Sequence, residues 1–146
     1  MIPRLALTAL VTAGFAVAAA AALNPIETRQ NIMKSVGAST KVMGDMVKGA
    51  APYDAGKAQL AMRTVFTGAA GYQFYFPEDS QKGGDTEAKP EIWKNKPDFN
   101  ARIEKLASDA MAGIEPAGKG LDSLKPAFQK VAQNCQGCHE QYRVKK

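Results

Sequence analysis

Cys135, Cys138 and His139 stand in the run Cys135-Gln136-Gly137-Cys138-His139 and are both cysteines and the only histidine of the 146-residue chain. A C-x-x-C-H run is the attachment sequence of c-type haem. Two thiols add across the two vinyl groups of one porphyrin to give thioethers, and the adjacent imidazole ligates the iron from one side. Positions i, i+3 and i+4 of a helix share a face, so the three side chains can meet a single flat ring.

Other chemistries of the same residues fit less well. A structural zinc site takes four nitrogen or sulfur ligands, and this chain must recruit a carboxylate to reach that number. A thioredoxin-like pair opens a helix after a strand, where the helix dipole lowers the thiol pKa; here the pair follows a helical pattern. A disulfide between the two suits an oxidising compartment but leaves the histidine without a role.

Four helical patterns position these residues. The first covers about 25–48, where Met33, Val36, Thr40, Met43 and Val47 recur at three- and four-residue steps. Pro25 suits its start, and Gly49 with Pro52 its stop. The second covers about 54–72, with Asp54 as N-cap and an apolar side of Leu60, Val65, Phe66, Ala69 and Tyr72. The third covers about 98–117, with Phe99, Ile103, Leu106 and Ala110 as its seam. The fourth starts near 123, with Pro126 expected in its first turn, where backbone N–H groups lack intrahelical partners. Leu124, Phe128, Val131, Cys135, Cys138 and Tyr142 then step by four or three, so both cysteines belong to a buried seam.

Between the second and third helices runs a connector, about 73–96, broken by Pro77, Gly83, Gly84 and Pro90. It is long for a compact domain. Its apolar residues Phe74, Phe76, Ile92 and Trp93 are expected to fold back over one end of the bundle, with Trp93 either packing there or touching the haem. Met43, Met46, Met62 and Met111 read as flexible core fillers. No strand-period segment competes, and the fold class is all-α: an antiparallel up-down-up-down four-helix bundle with one covalently bound haem c inserted between helices.

The first 22 residues read as a secretory signal peptide, with Arg4 in a short positive region, an apolar stretch over 5–18 and small residues at 18–22. An uncleaved membrane anchor is the lesser alternative. The remaining residues, 23–146, form one domain of about 124 residues, expected to have no stable membrane insertion once the leader is removed. The chain carries a formal charge of +5, and loss of Arg4 leaves it near +4. That excess, without an Arg-rich tract, gives no reason to expect nucleic acid. It can steer the chain toward an acidic docking surface on a redox partner. Arg143, Lys145 and Lys146 place positive charge near the motif, where cations also suit a helix C-terminus.

The chain resembles the class II c-type cytochromes, the cytochrome c prime family. The resemblance rests on Arg29-Gln30-Asn31-Ile32-Met33 on the first helix, on Ala88-Lys89-Pro90-Glu91-Ile92-Trp93 in the connector, and on the closing Cys135-x-x-Cys138-His139-x-x-Tyr142-Arg143. It implies that Cys135 and Cys138 hold the haem as thioethers, that His139 is the proximal iron ligand and that Met33 occupies the distal position. Arg29 is placed near the haem edge or a propionate, against the plainer reading of a surface ion pair, and Arg143 on the proximal side. The family also implies a periplasmic location, since c-type haem is attached beyond the bacterial inner membrane, and admits a homodimer through the first two helices.

Met33 permits two chemistries. Bound to iron, its thioether gives a six-coordinate His/Met haem with a raised reduction potential, an electron carrier. As a mere filler of an apolar distal pocket it leaves a five-coordinate haem able to take NO or CO. The family register of Met33 opposite His139 favours the first. Peroxidase or nitrite chemistry needs a distal acid–base group, and the one histidine is already committed; no enzymatic activity and no catalytic residue are expected.

Overall fold

The computed structural model describes residues 24–145. The leader read over residues 1–22 lies outside the described residues, as does Lys146.

Among the described residues, four long helices and one short one form, three of them opened by a side-chain cap. Helix α1, Pro25–Val47, starts at Asn24, whose side-chain oxygen accepts from the backbone N–H groups of Ile26 and Glu27, with Pro25 in the first turn. Helix α2, Ala55–Ala69, starts at Asp54, which accepts from Lys57 N at 2.9 Å. A single turn, α3, spans Glu91–Lys94. Helix α4, Lys96–Ala117, starts at Asn95, two residues before Pro97 and earlier than the expected position 98. Helix α5, Leu121–Tyr142, follows Gly120, whose φ of 116° suits glycine alone.

The early start of α5 corrects one expectation. Pro126 lies beyond the first turn, inside the helix, so the carbonyl of Asp122 lacks its usual partner. Pro126 and Asp122 are both exposed, which lets water take the place of that bond.

Helices α1, α2, α4 and α5 pack as a ring, each against two neighbours, in the expected antiparallel four-helix bundle. Its main core joins Met43, Met46 and Met62 to Val65, Leu124 and Val131. Each such side chain, fully buried, contributes about 1.5–3 kcal/mol. Small residues let the helices approach. A Cβ on Gly68 of α2 would lie 2.6 Å from Val36 Cγ2 of α1, and one on Gly113 of α4 would lie 2.9 Å from Met62 Cε of α2.

Three apolar residues expected inward point out. Leu60 is 65% exposed, Phe74 79% and Met111 61%. On α2 the inward set is Ala58, Ala61, Met62, Val65 and Ala69. Leu60 sits two residues from Met62, about 200° round the helix. Met111 stands in the same relation to Gly113, which is buried on α4.

The connector is ordered and covers one end of the bundle. Helix α2 stops at Ala69, Gly71 takes a φ of 82°, and 3-10 turns follow at Tyr72–Tyr75 and Glu78–Ser80. Tyr72, Phe76 and Ile92 pack with Phe99, Ile103 and Tyr142 into a second cluster, against which Ile32, Met33 and Cys138 lie. Edge-to-face ring contacts run through it, from Phe76–Phe99 at 4.7 Å to Phe99–Tyr142 at 5.3 Å. Ala88 and Arg143 form an isolated antiparallel bridge, with Lys89 N donating to Tyr142 O at 3.0 Å and Val144 N to Glu87 O at 2.8 Å. The segment after α5 thus fastens the connector to the helix that carries the motif.

Candidate functional site

Beneath the connector lies a cavity of about 640 Å³ walled by α1, α4, α5 and the connector. Arg29, Met33, Cys135, Cys138, His139 and Arg143, the six residues singled out in the sequence, all line it. Val36, Tyr72, Phe76, Ile103 and Leu106 supply much of its apolar surface. Its size falls within the about 300–1,000 Å³ of small-molecule and cofactor sites. Two thiols and an imidazole on one helix, facing an apolar space of that size, fit a flat covalently attached ring.

Cys135 and Cys138 are free and half-buried on α5. Burial pushes both thiols up in pKa, Cys138 to about 11. An exchange-active pair needs the opposite shift. Among the described residues no three His, Cys, Asp or Glu side chains converge to hold a metal ion, so the zinc reading has no further donors. His139 is exposed on one side; partial desolvation of its ring, and next the positive charge of Arg143, lower its pKa, against a smaller opposing effect of Glu87. Both leading effects favour the neutral imidazole, the form that ligates a metal.

Arg29 is not a surface ion pair. It is 3% exposed, and its guanidinium donates to four neutral oxygens of the connector: Tyr75 O at 3.2 Å, Ser80 Oγ at 2.9 Å, Ser80 O at 3.0 Å and Thr86 Oγ1 at 2.6 Å. It also lies over the ring of Phe76 at 4.8 Å. Burial lowers its pKa, yet arginine keeps its proton in proteins. A buried cation at the cavity wall therefore ties α1 to the connector. Arg143 has a different setting: it is exposed, and its Nε donates to Glu87 Oε2 at 2.6 Å.

Trp93 packs edge-on to Phe76 and donates from Nε1 to Pro77 O at 3.1 Å. It is not part of the cavity wall, which leaves packing as its role.

Sequence reasoning missed Arg102, Tyr72, Thr86 and Glu87, all of which line the cavity. Arg102 on α4 donates from Nε to Asp98 Oδ2 at 2.7 Å and reaches Gly137 O, between the two cysteines, at 3.5 Å. The same Asp98 oxygen accepts from the Tyr142 hydroxyl at 2.5 Å. The four-residue spacing of Asp98 and Arg102 was a readable signal of a helix-surface pair; nothing local marked the other residues.

Comparison with known proteins agrees with this geometry. The family model described as Cytochrome C' matches residues 24–143. A cytochrome c' of Rhodopseudomonas palustris is 37% identical over 133 residues, 91% of this chain and 88% of its own length. A cytochrome c-556 of Agrobacterium tumefaciens is 33% identical over 121 residues, 83% of this chain and 98% of its own. The solved cytochrome c' from Rhodopseudomonas palustris superposes with a TM-score of 0.80 at 36% identity, covering 84% of this chain and 98% of that one. With a match that spans nearly all the described residues and a four-helix bundle in common, this chain belongs to the cytochrome c' family and is a mono-haem c-type cytochrome with one covalent haem c.

Proposed function

We propose that the protein is a periplasmic electron carrier whose haem is attached through Cys135 and Cys138 and ligated by His139 and Met33. One observation carries this reading. The thioether-bearing side chain of Met33 on α1 and the imidazole of His139 on α5 line one cavity, and the chain has no second histidine to compete.

The haem, when bound, supplies a one-electron couple at its iron. The remaining work falls to the chain. Cys135 and Cys138 fix the ring to α5. Partial desolvation and the charge of Arg143 lower the pKa of His139, which favours the neutral imidazole that can ligate iron, and Met33 presents a soft sulfur that favours the reduced state. Arg29 and the second aromatic cluster hold the connector over the cavity.

A second reading is supported by the cavity's apolar lining, which includes Val36, Tyr72 and Leu106. In it Met33 only fills space, and a neutral gas such as NO or CO binds the open position. Optical spectra of the ferric and ferrous protein separate the two. The carrier reading expects a low-spin spectrum, little CO binding to the reduced form, and conversion to high-spin on Met33→Ala. A broad high-spin Soret band with rapid CO binding would transfer the assignment to the gas-binding reading.

Other features support the surroundings of this function. We assign residues 1–22 to a signal peptide and the rest to a single exported domain. Among the described residues no helix is long and apolar enough to cross a membrane. The positive excess, with Arg143 and Lys145 near the cavity, suits an acidic redox partner. A homodimer through α1 and α2 is supported by the shallow groove these helices leave outside, lined by Thr28, Ile32, Ser35, Thr64 and Gly68.

A further inference from the structure

Asp98 and Arg102 sit one turn apart on α4 and make a polar unit that touches α5 on both sides of His139. Arg102 Nη1 approaches Gly137 O at 3.5 Å, two residues before it. Asp98 Oδ2 accepts a hydrogen bond from the hydroxyl of Tyr142, three residues after it, at 2.5 Å. A Cβ on residue 137 would meet Arg102 Nη1 at 3.6 Å, so the guanidinium lies directly against the strip between the two cysteines. It also rests 5.9 Å from the Tyr142 ring centroid.

The unit has a direction. Arg102 lines the cavity and Asp98 does not. The positive end therefore faces the haem site, and the carboxylate, fixed by the 2.7 Å bond to Arg102 Nε, stands behind it. A cation near a redox centre stabilises the state with one more electron, and an anion does the reverse.

We propose that the Asp98–Arg102 pair is a potential-setting element of this cytochrome, with Arg102 favouring the ferrous haem and Asp98 opposing it. Both are positioning residues, acting on the haem through the field at the cavity and through the α5 segment that carries His139. Reduction adds one electron to the iron and needs no other reactant from the pair. The inference rests on the haem c site, and it holds for either axial arrangement of Met33. The expected effect of each charge is about three- to tenfold in the ferric/ferrous equilibrium, or about 30–60 mV for one electron.

The test is the midpoint potential of the holoprotein at low and high salt, with spectra and melting curves for each variant. Arg102→Gln should lower the potential, Asp98→Asn should raise it, and Arg102→Lys should stay closer to wild type than Arg102→Gln. Because the Arg102 side chain is 41% exposed, the shifts should shrink as salt rises. A purely structural role loosens α5 in both neutral variants and moves the potential in the same direction. Shifts of the same sign, or no shift for Arg102→Gln, would overturn the proposal. The spectra report Met33 ligation separately, so failure of the carrier reading and failure of this one are distinguishable.

Discussion

Replacing Arg29 by methionine keeps an unbranched stem of similar length and removes the guanidinium. The consequences can be followed atom by atom. Ser80 O and Tyr75 O lose their donors, at 3.0 and 3.2 Å. The Ser80 hydroxyl keeps its own donation to Pro77 O at 2.8 Å, and Thr86 Oγ1 still accepts from Ala88 N at 3.3 Å. A stranded buried acceptor costs about 1–3 kcal/mol. The lost contacts over Phe76 and Trp93, at 4.8 and 5.7 Å, add about 0.5–1 kcal/mol each. Relief of the desolvation that accompanies a buried cation offsets part of this. The net expectation is a loss of about 2–4 kcal/mol, a fall in Tm on the order of 10 °C for a domain of this size. Guanidinium denaturation of the holoprotein, followed by far-UV circular dichroism and haem absorbance, measures it. Limited proteolysis should show faster cleavage within residues 73–90. A loss below about 0.5 kcal/mol, the level of an ordinary surface substitution, with unchanged protease resistance would refute the clamp.

Two further outcomes follow from the packing and the titration of the bundle. Gly68→Ala places a methyl group 2.6 Å from Val36 Cγ2 and 3.4 Å from Ile32 Cγ2; crowding of about 1–3 kcal/mol should outweigh a helix-propensity gain of about 1 kcal/mol, and a variant more stable than wild type in urea would contradict the close α1–α2 approach. The Asp98 carboxyl is held below the ordinary carboxylate range by the Arg102 and Tyr142 hydrogen bonds, so its stabilisation is complete above the unfolded value of about 3.9 and is lost as pH falls through the lower folded value. Tyr142→Phe removes one donor and should move that titration up toward the ordinary value; a carbon-13 NMR titration of Asp98 that does not change would remove Tyr142 as a partner.

The motif and the four helices were legible because their signals are local. C-x-x-C-H fixes spacing on one helix, Asp54 and Pro25 mark starts, and the seams of α4 and α5 repeat at helical period. Where residue type was read without its angular position, the reading failed: Leu60 and Met111 are apolar but point outward. Phe74 sits on a 3-10 turn, where no helical period applied. Asn95, which caps α4, stands three residues before the expected start at 98. The clamp made by Arg29 was out of reach for a physical reason. Its partners lie 46 to 57 residues away and include backbone carbonyls, which no side-chain pattern advertises. The bridge between Ala88 and Arg143 is likewise made of backbone groups.

The fastening of the connector also sets an order of events. Its attachments reach back to Arg29 and forward to Arg143 and Val144, across about fifty residues each way. Contacts that distant form after local helices, because closing the intervening chain costs entropy before any contact repays it. Cys135 and Cys138 are half-buried in the folded chain, Cys135 against the main core and Cys138 against the cluster that the connector completes. The cover of the site is thus expected to be the last of its walls to form.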